Sequence, residues 1–261
     1  MDPLQAADIA LVRAGNPGPF TLEGTNTWLV GREPCWVVDP GPELDDHVVA
    51  VAEAASERGG LGGIALTHGH ADHSDAVAAL LRVCGEVPVA AMAWEGATVA
   101  LADGDTFGPL TAVATPGHSI DHLSFLSGRA LLSGDAVLGR GSVFVFPDRG
   151  ALRGYLAALE RLLALNLDVI CPGHGPLVLD PRARIAQYRE HRLAREAALV
   201  AALDAGLRSV DDLLDSVWSD APAGLRGAAA VTLAAHLDKL AEEDRLPAGV
   251  ERPELDLYRP R

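Results

Sequence analysis

The sequence predicts an α/β fold, and two observations support this prediction. Short apolar runs that end in glycine, proline or aspartate alternate with amphipathic helical segments up to about residue 180, an alternation typical of α/β proteins. Four of the apolar runs also lead into a histidine or an aspartate. Because loops at one edge of a sheet can bring distant side chains together, the second pattern predicts a shared site.

Local patterns place strands and helices in turn along the first hundred residues. Apolar, β-prone runs predict strands at 26–30, 35–38, 64–66 and 87–94. A helical pattern at 44–60 ends in glycine, the usual stop signal. A second helix is predicted to begin at Ser74, a residue type that favours the N-cap position.

The remaining sequence divides into two domains, which we predict at 1–180 and 181–261. Packed strands are predicted within 110–139, a helix at 152–165, and a strand leading into a loop at 167–177. The second domain reads as a helical appendage with helices at 183–206, 209–218 and 228–246. Ser209 and Asp212 form a capping box, and Leu233, Leu237 and Leu240 share one helical face. The sequence leaves open whether a β wing follows the last helix.

Composition limits the classes of function. The chain has 261 residues with 49% hydrophobic and 22% charged side chains, an ordinary globular balance. No run is long and apolar enough to span a bilayer, and no basic leader with a cleavage site opens the sequence. We therefore expect a cytoplasmic protein without membrane contact. Cys35, Cys84 and Cys171 are far apart, which favours reduced thiols over disulfides or a CxxC metal pair.

The net charge is −15. A strongly acidic surface repels phosphate backbones, so we expect no DNA partner. The sequence predicts no particular oligomeric state.

The segment THGHADHS, 67–74, concentrates potential metal ligands. Its HxHxDH pattern is formed by His68, His70, Asp72 and His73. At this chain's own histidine and aspartate frequencies, such a pattern arises by chance in about one sequence in a thousand. Imidazole and carboxylate are the ligands that zinc accepts when thiols are absent.

Three later loops supply the remaining ligands for a pair of ions. The predicted sets are His68, His70 and His118 for the first ion, Asp72, His73 and His174 for the second, and Asp135 as a bridge between them. A hydroxide that bridges two zinc ions would serve as the nucleophile. Iron or manganese could replace zinc with the same ligands.

These residues resemble the signature of the metallo-β-lactamase superfamily, HxHxDH followed by distant His, Asp and His. The resemblance implies an αββα sandwich over the first domain and two zinc ions at the edge between its sheets. It also implies metal-activated hydrolysis, with Asp72 as the catalytic residue that ligates the second ion and orients the nucleophilic water.

The segments NPGPFTLEGTNTWLVG, TPGHSIDHLSF, SGDAVLG, CPGHGPL and YREHRLARE are similar to the lactamase-beta-like subfamily. One branch of that subfamily is an endoribonuclease that cuts single-stranded RNA. The C-terminal helices of the subfamily resemble a winged helix, which matches the predicted appendage.

Three functions stay open: a hydrolase of small esters, thioesters or lactones, a single-strand endoribonuclease, and a non-enzymatic zinc-stabilised binding module. Residues 205–261 hold seven basic and eleven acidic side chains, and aromatic content is 5%. RNA binding needs phosphate contacts and stacking aromatics, so a small-molecule ester or thioester substrate is favoured over RNA. Three ligands per ion leave an open position, which is typical of catalytic zinc and argues against the binding module.

Several other residues have more than one interpretation. His122 could donate a proton to a leaving group, hold His118 in place, or be a buried structural histidine. Arg189, Arg192 and Arg195 recur every three residues and could contact phosphates, although a solvated helix face is favoured. Phe144 and Phe146 could line a substrate pocket or pack in the core.

Overall fold

The computed structural model describes residues 3–255, and these fall into two compact units. The first contains the chain up to Thr115, together with Asp121–Ser142 and Leu165–Arg184. The second contains Pro116–Ile120, Val143–Ala164 and the chain from Ile185 onward. The predicted division at residue 180 stays a proposal.

The first unit contains two β-sheets. The first sheet has six strands in sequence order: Ile9–Arg13 (β1), Asn26–Val30 (β2), Cys35–Val38 (β3), Leu61–Ala65 (β4), Val89–Ala91 (β5) and Val99–Ala100 (β6). The second has five: Thr106–Phe107 (β7), Leu110–Ala114 (β8), Leu123–Ser127 (β9), Ala130–Gly134 (β10) and Val169–Pro172 (β11), in the order β11-β10-β9-β8-β7. Neighbours from β3 to β6 are parallel, as are β10 and β11, and the other pairs are antiparallel.

Side chains alternate across the first sheet with the period of two expected for strands. Trp28 and Val38 join a buried cluster with residues of the second sheet such as Phe125. Their neighbours Leu29 and Val37 join a separate cluster with residues of the adjacent helices. The first unit is therefore layered as helices, sheet and sheet.

Four helices of the first unit are Pro3–Ala6 (α1), Asp45–Glu57 (α2), Ala71–Ser74 (α3) and Val77–Cys84 (α4). The helix predicted to start at Ser74 starts instead at Val77 with Ala76 as its N-cap, and Ser74 is the last residue of the short helix α3. The Ser74 hydroxyl instead donates to the carbonyls of Gly69 and His70. The Ala76 amide donates to the carbonyl of Gly41, a long-range bond that interrupts the helix.

The second unit is helical, with Ala151–Leu163 (α5), most of Pro181–Asp204 (α6), Val210–Val217 (α7), the 3₁₀ turn Ala223–Leu225 and Arg226–Glu242 (α8). Leu233, Leu237 and Leu240 are buried in its core, as predicted. Of the predicted capping box, the N-cap bond is confirmed, because the Ser209 hydroxyl accepts from the Asp212 amide at 3.2 Å. Residues 243–255 contain no strand, and the rest of the tail where a wing was considered lies outside the described residues. Within 3–255, no helix combines the length and apolar character needed to cross a membrane.

Candidate metal centre

The sheet topology places four chain segments at one edge of the first unit. Val38 on β3 pairs in parallel with Ala65 on β4, so the residues that follow these strands leave the sheet together. In the second sheet, Gly134 on β10 aligns with Pro172 on β11. Asp39, the HxHxDH loop, Asp135 and His174 therefore all follow the carboxyl ends of strands. Six of the seven predicted ligands lie in this unit, all except His118.

Four of these side chains direct polar atoms at one point. Oδ2 of Asp72 lies 3.2 Å from Nε2 of His174 and 3.6 Å from Nε2 of His73. The two imidazole nitrogens are 3.3 Å apart. Oδ1 of Asp135 lies 3.6 Å from Nε2 of His73 and 3.5 Å from Nε2 of His174. In a tetrahedral site with bonds of about 2.1 Å, ligand atoms are about 3.4 Å apart, so the four atoms fit around one cation.

The first two histidines of the motif continue this cluster. Nε2 of His68 lies 2.9 Å from Nδ1 of His70. Ligand atoms of His68, His73 and Asp135 also lie within 4.8 Å of one another. Asp135 therefore lies close to potential ligands of both groups.

Burial differs among these side chains in a way that matters for access. His68, His73, Asp135 and His174 are buried. The Asp72 side chain keeps 32% of its surface exposed. Solvent or a substrate can therefore approach this cluster from the side of Asp72.

The charges of the cluster reinforce one another. Burial opposes protonation of His73, but the surrounding carboxylates, Asp72 foremost, raise its pKa to about 9. Burial has the same effect on His174, whose pKa Asp135 and Asp72 raise to about 10. Burial would raise the pKa of Asp72, yet His73 and His174 lower it to about 2. The carboxylates thus attract positive charge, which a metal cation can supply in place of these protons.

Asp39, the residue that follows strand β3, fixes the orientation of two histidines. Its Oδ2 accepts from Nδ1 of His73 at 2.9 Å and from the Thr67 hydroxyl at 2.7 Å. Because a carboxylate only accepts, Nδ1 of His73 carries a proton, and Nε2 is the nitrogen that can exchange its proton for a metal. The Thr67 hydroxyl in turn faces Nδ1 of His68 at 3.0 Å. Since this hydroxyl donates to Asp39, it accepts from His68 and leaves Nε2 of His68 for a metal.

A glycine allows this close packing. A Cβ atom at Gly173 would lie 2.6 Å from Oδ1 of Asp135 and 2.8 Å from Cε1 of His73. Real Cβ atoms do not approach other atoms so closely. Any larger residue at 173 would therefore displace the two side chains.

His118 belongs to the second unit and is buried there. Its Nδ1 faces the carbonyl oxygen of Phe144 at 3.3 Å, and its ring lies 5.3 Å from that of Phe144. The Phe144 and Phe146 rings are 5.2 Å apart and partly exposed, whereas Val143 and Val145 are buried. The strand-like alternation places both phenylalanines on the side of His118.

The three arginines that recur along α6 at positions 189, 192 and 195 have partners within the second unit. Arg189 pairs with Glu160, and Arg195 binds Asp220 at 2.6 Å. Arg192 is buried, with its guanidinium on the Val143 carbonyl. The prediction of a solvated helix face is therefore wrong for Arg192. All three guanidinium groups already have partners within the protein, which argues against a role in contacting phosphates.

Comparison with known proteins places the chain in a family. The sequence model of the Metallo-beta-lactamase superfamily matches residues 20–103 and 93–174. A Caenorhabditis elegans protein named Beta-lactamase-like protein 2 homolog is 32% identical over 99% of this chain and 92% of its own length. A thioesterase from Emericella nidulans is 35% identical over 72% of this chain, but the match spans only 56% of that enzyme.

Solved structures share the fold. A metallo-beta-lactamase family protein from Thermus thermophilus superposes with a TM-score of 0.73 at 24% identity, covering 90% of this chain and 94% of the other. A protein crystallised in a di-iron-bound form is 28% identical with a TM-score of 0.54, covering 67% of this chain and 98% of its own. These comparisons confirm the predicted α/β fold class with its αββα sandwich and C-terminal helices. The chain belongs to the metallo-β-lactamase superfamily and is a metal-dependent hydrolase.

Proposed function

We propose that the chain is a dinuclear zinc hydrolase that cleaves thioester bonds of small acyl substrates. The observation that carries this proposal is the set of polar atoms from Asp72, His73, Asp135 and His174, which are spaced as the ligands of one cation are. The thioesterase among the relatives supports the thioester as the bond cleaved.

In this proposal seven residues hold two ions: His68, His70 and His118 the first, Asp72, His73 and His174 the second, and Asp135 both. When bound, the ions supply an activated water and positive charge for the developing oxyanion. Asp72 is the catalytic residue, because its partly exposed carboxylate faces the solvent side of the cluster and can orient the attacking water. Iron or manganese would fit the same nitrogen and oxygen donors.

A substrate panel tests the reaction. Acyl thioesters, p-nitrophenyl esters, lactones and a single-stranded RNA are offered to the wild-type protein, with His68→Ala as the blank. We expect thioester cleavage that is lost in the blank. RNA cleavage that disappears in the blank, without thioester cleavage, would instead make the chain an endoribonuclease.

Metal content and Asp72 provide the second test. Protein purified without chelator is expected to carry close to two zinc ions per chain by elemental analysis. Asp72→Ala should lower kcat/KM by more than the roughly hundredfold that loss of a supporting residue costs, with the fold retained. Glu86→Ala, at an exposed position, is the matched control and should behave as wild type. A metal-free active enzyme, or wild-type rates in Asp72→Ala, would refute the proposal.

A further inference from the structure

His122 forms buried contacts with two of the proposed ligand residues. Its Nε2 accepts a hydrogen bond from the backbone amide of Asp135 at 3.1 Å. Its ring also stacks on that of His68, with centroids 5.0 Å apart and planes at 30°. His122 has no exposed surface. It therefore touches the bridging carboxylate residue and a histidine of the first ligand pair at the same time.

The hydrogen bonds around His122 define its protonation. A backbone amide can only donate, so Nε2 must carry the lone pair and Nδ1 the proton. Nδ1 lies 2.8 Å from the Thr115 hydroxyl, which accepts that proton. The Thr115 hydroxyl can then donate to Ser124 at 2.9 Å, whose hydroxyl donates to the Ser133 carbonyl at 3.3 Å. Each group thus has a defined direction, from the Asp135 amide to the Ser133 carbonyl.

This chain of hydrogen bonds is shielded from water. The side chains of His122, Thr115, Ser124 and Ser133 are all fully buried, so no solvent competes for their partners. A second bond, from the Thr115 amide to the His122 carbonyl at 2.9 Å, fixes the main chain next to the ring. Buried polar networks that are fully satisfied hold one arrangement rigidly. The imidazole therefore has one position and one tautomer.

The arrangement decides between the roles that the sequence left open for His122. A proton donor to a leaving group must present an N–H to the substrate. Here Nε2 is an acceptor and the Nδ1 proton is directed at Thr115, away from any substrate. We propose that His122 is a positioning residue: it holds the Asp135 main chain, and through it the bridging carboxylate, in the place that two metal ions require, while its ring supports His68.

This inference rests on the proposed function, since it takes Asp135 and His68 as ligands. Its energetic basis is the Asp135 amide. Without an acceptor, that buried donor is unsatisfied, and the loop after β10 gains by shifting toward another partner. A shift in this loop displaces the carboxylate, so metal affinity falls before the fold is lost.

Two amide variants separate positioning from general packing. The Oε1 atom of glutamine reaches about as far as Nε2 of histidine, so His122→Gln keeps an acceptor for the Asp135 amide. Asparagine reaches only as far as Nδ1, so His122→Asn keeps the Thr115 contact and loses that acceptor. Both replace the ring with an uncharged amide, and they serve as matched controls for each other.

Metal retention is measured for both variants by dialysis against a graded series of chelator concentrations, followed by elemental analysis. We expect His122→Asn to lose metal affinity by about tenfold to a hundredfold, and His122→Gln to stay within a few-fold of wild type. In the metal-loaded enzymes, kcat should fall in His122→Asn while KM changes little. Co²⁺-loaded His122→Asn should show altered visible absorption bands, with those of His122→Gln near wild type. Equal metal affinities for the two variants would overturn the inference.

Thr115→Val is the second route if His122→Asn does not fold. Valine preserves the volume but removes the acceptor of the Nδ1 proton, which releases the tautomer of His122. A decrease in metal affinity, measured at a temperature at which the metal-free variant is fully folded, supports the inference, and unchanged affinity contradicts it. If wild-type protein itself binds no metal, the proposed function fails. If it binds two ions and the variants match it, only the role of His122 fails.

Discussion

A single buried carboxylate, that of Asp39, sets the proton positions on two histidine rings. It accepts directly from His73 and, through the Thr67 hydroxyl, determines that His68 also presents Nε2 to the cluster. The sequence alone does not reveal this role. Asp39 follows the buried strand β3, just as the HxHxDH loop follows the buried strand β4. That β3 and β4 are parallel neighbours, so that the residues after them lie side by side, is known only from the sheet order.

Asp39→Asn tests this role at the scale of one atom. The amide keeps the size of the side chain but replaces a charged acceptor by a group that is half donor, so His73 loses its fixed tautomer. We expect metal affinity and kcat/KM to fall by about tenfold to a hundredfold. Metal retention and thioester hydrolysis measure the effect. Unchanged values in both would show that the carboxylate is not needed to orient the rings.

At the scale of elements, strand β2 anchors the loop that carries His174. The Asn26 side-chain amide donates to the carbonyls of Pro172 and Gly175 at 3.0 and 2.9 Å, and its backbone amide donates to the carbonyl of Gly173 at 2.7 Å. The Trp28 indole also donates to the Pro172 carbonyl at 3.1 Å. The loop that carries His174 follows a strand of the second sheet and is therefore held by a strand of the first.

Asn26→Asp removes both side-chain donors with almost no change in shape. Two buried carbonyls lose a partner and face a carboxylate, so we expect a loss of about 2–4 kcal/mol in stability together with weaker metal binding. The matched control is Asn166→Asp, since Asn166 accepts from Arg129 through its oxygens and keeps that role as aspartate. Thermal unfolding with and without metal measures both effects. Equal losses of stability and of metal binding in the two variants would show that Asn26 does not support the loop that carries His174.

Elements were more predictable from the sequence than the contacts between them. The apolar, β-prone run of β2 and the N-cap residue Ser209 are local signals, and the structure confirms both. The break between α3 and α4 was missed because it depends on the Ala76 amide bonding to Gly41, thirty-five residues earlier in the chain. Likewise, Asn26 was recognised only as a strand residue, since its partners follow 146 and 149 residues later.

At the scale of the whole molecule, acid stability depends on carboxylates in both units. In the second unit Glu196 on α6 has only 12% of its side chain exposed. The His236 ring, 3.7 Å from Oε2, and the Lys239 ammonium, 2.8 Å from Oε1, lower the pKa of Glu196 to about 2 against the opposing effect of burial. This places an anchored carboxylate between α6 and α8.

We expect Glu196→Gln to change how the stability of the protein depends on pH. Because the folded chain lowers the pKa of Glu196 below its ordinary value of 4.5, its stabilising contribution is present above pH 4.5 and is lost as pH falls toward 2. At pH 7 the variant should have a lower Tm than wild type, because its free energy of unfolding is lower by about 2 kcal/mol. The difference from wild type should shrink steadily as the pH is lowered from 4.5. Calorimetry at several pH values measures this, with Glu190→Gln, an exposed position on the same helix, as control. A Tm difference that stays constant across that range would mean that Glu196 contributes packing and no charge interaction.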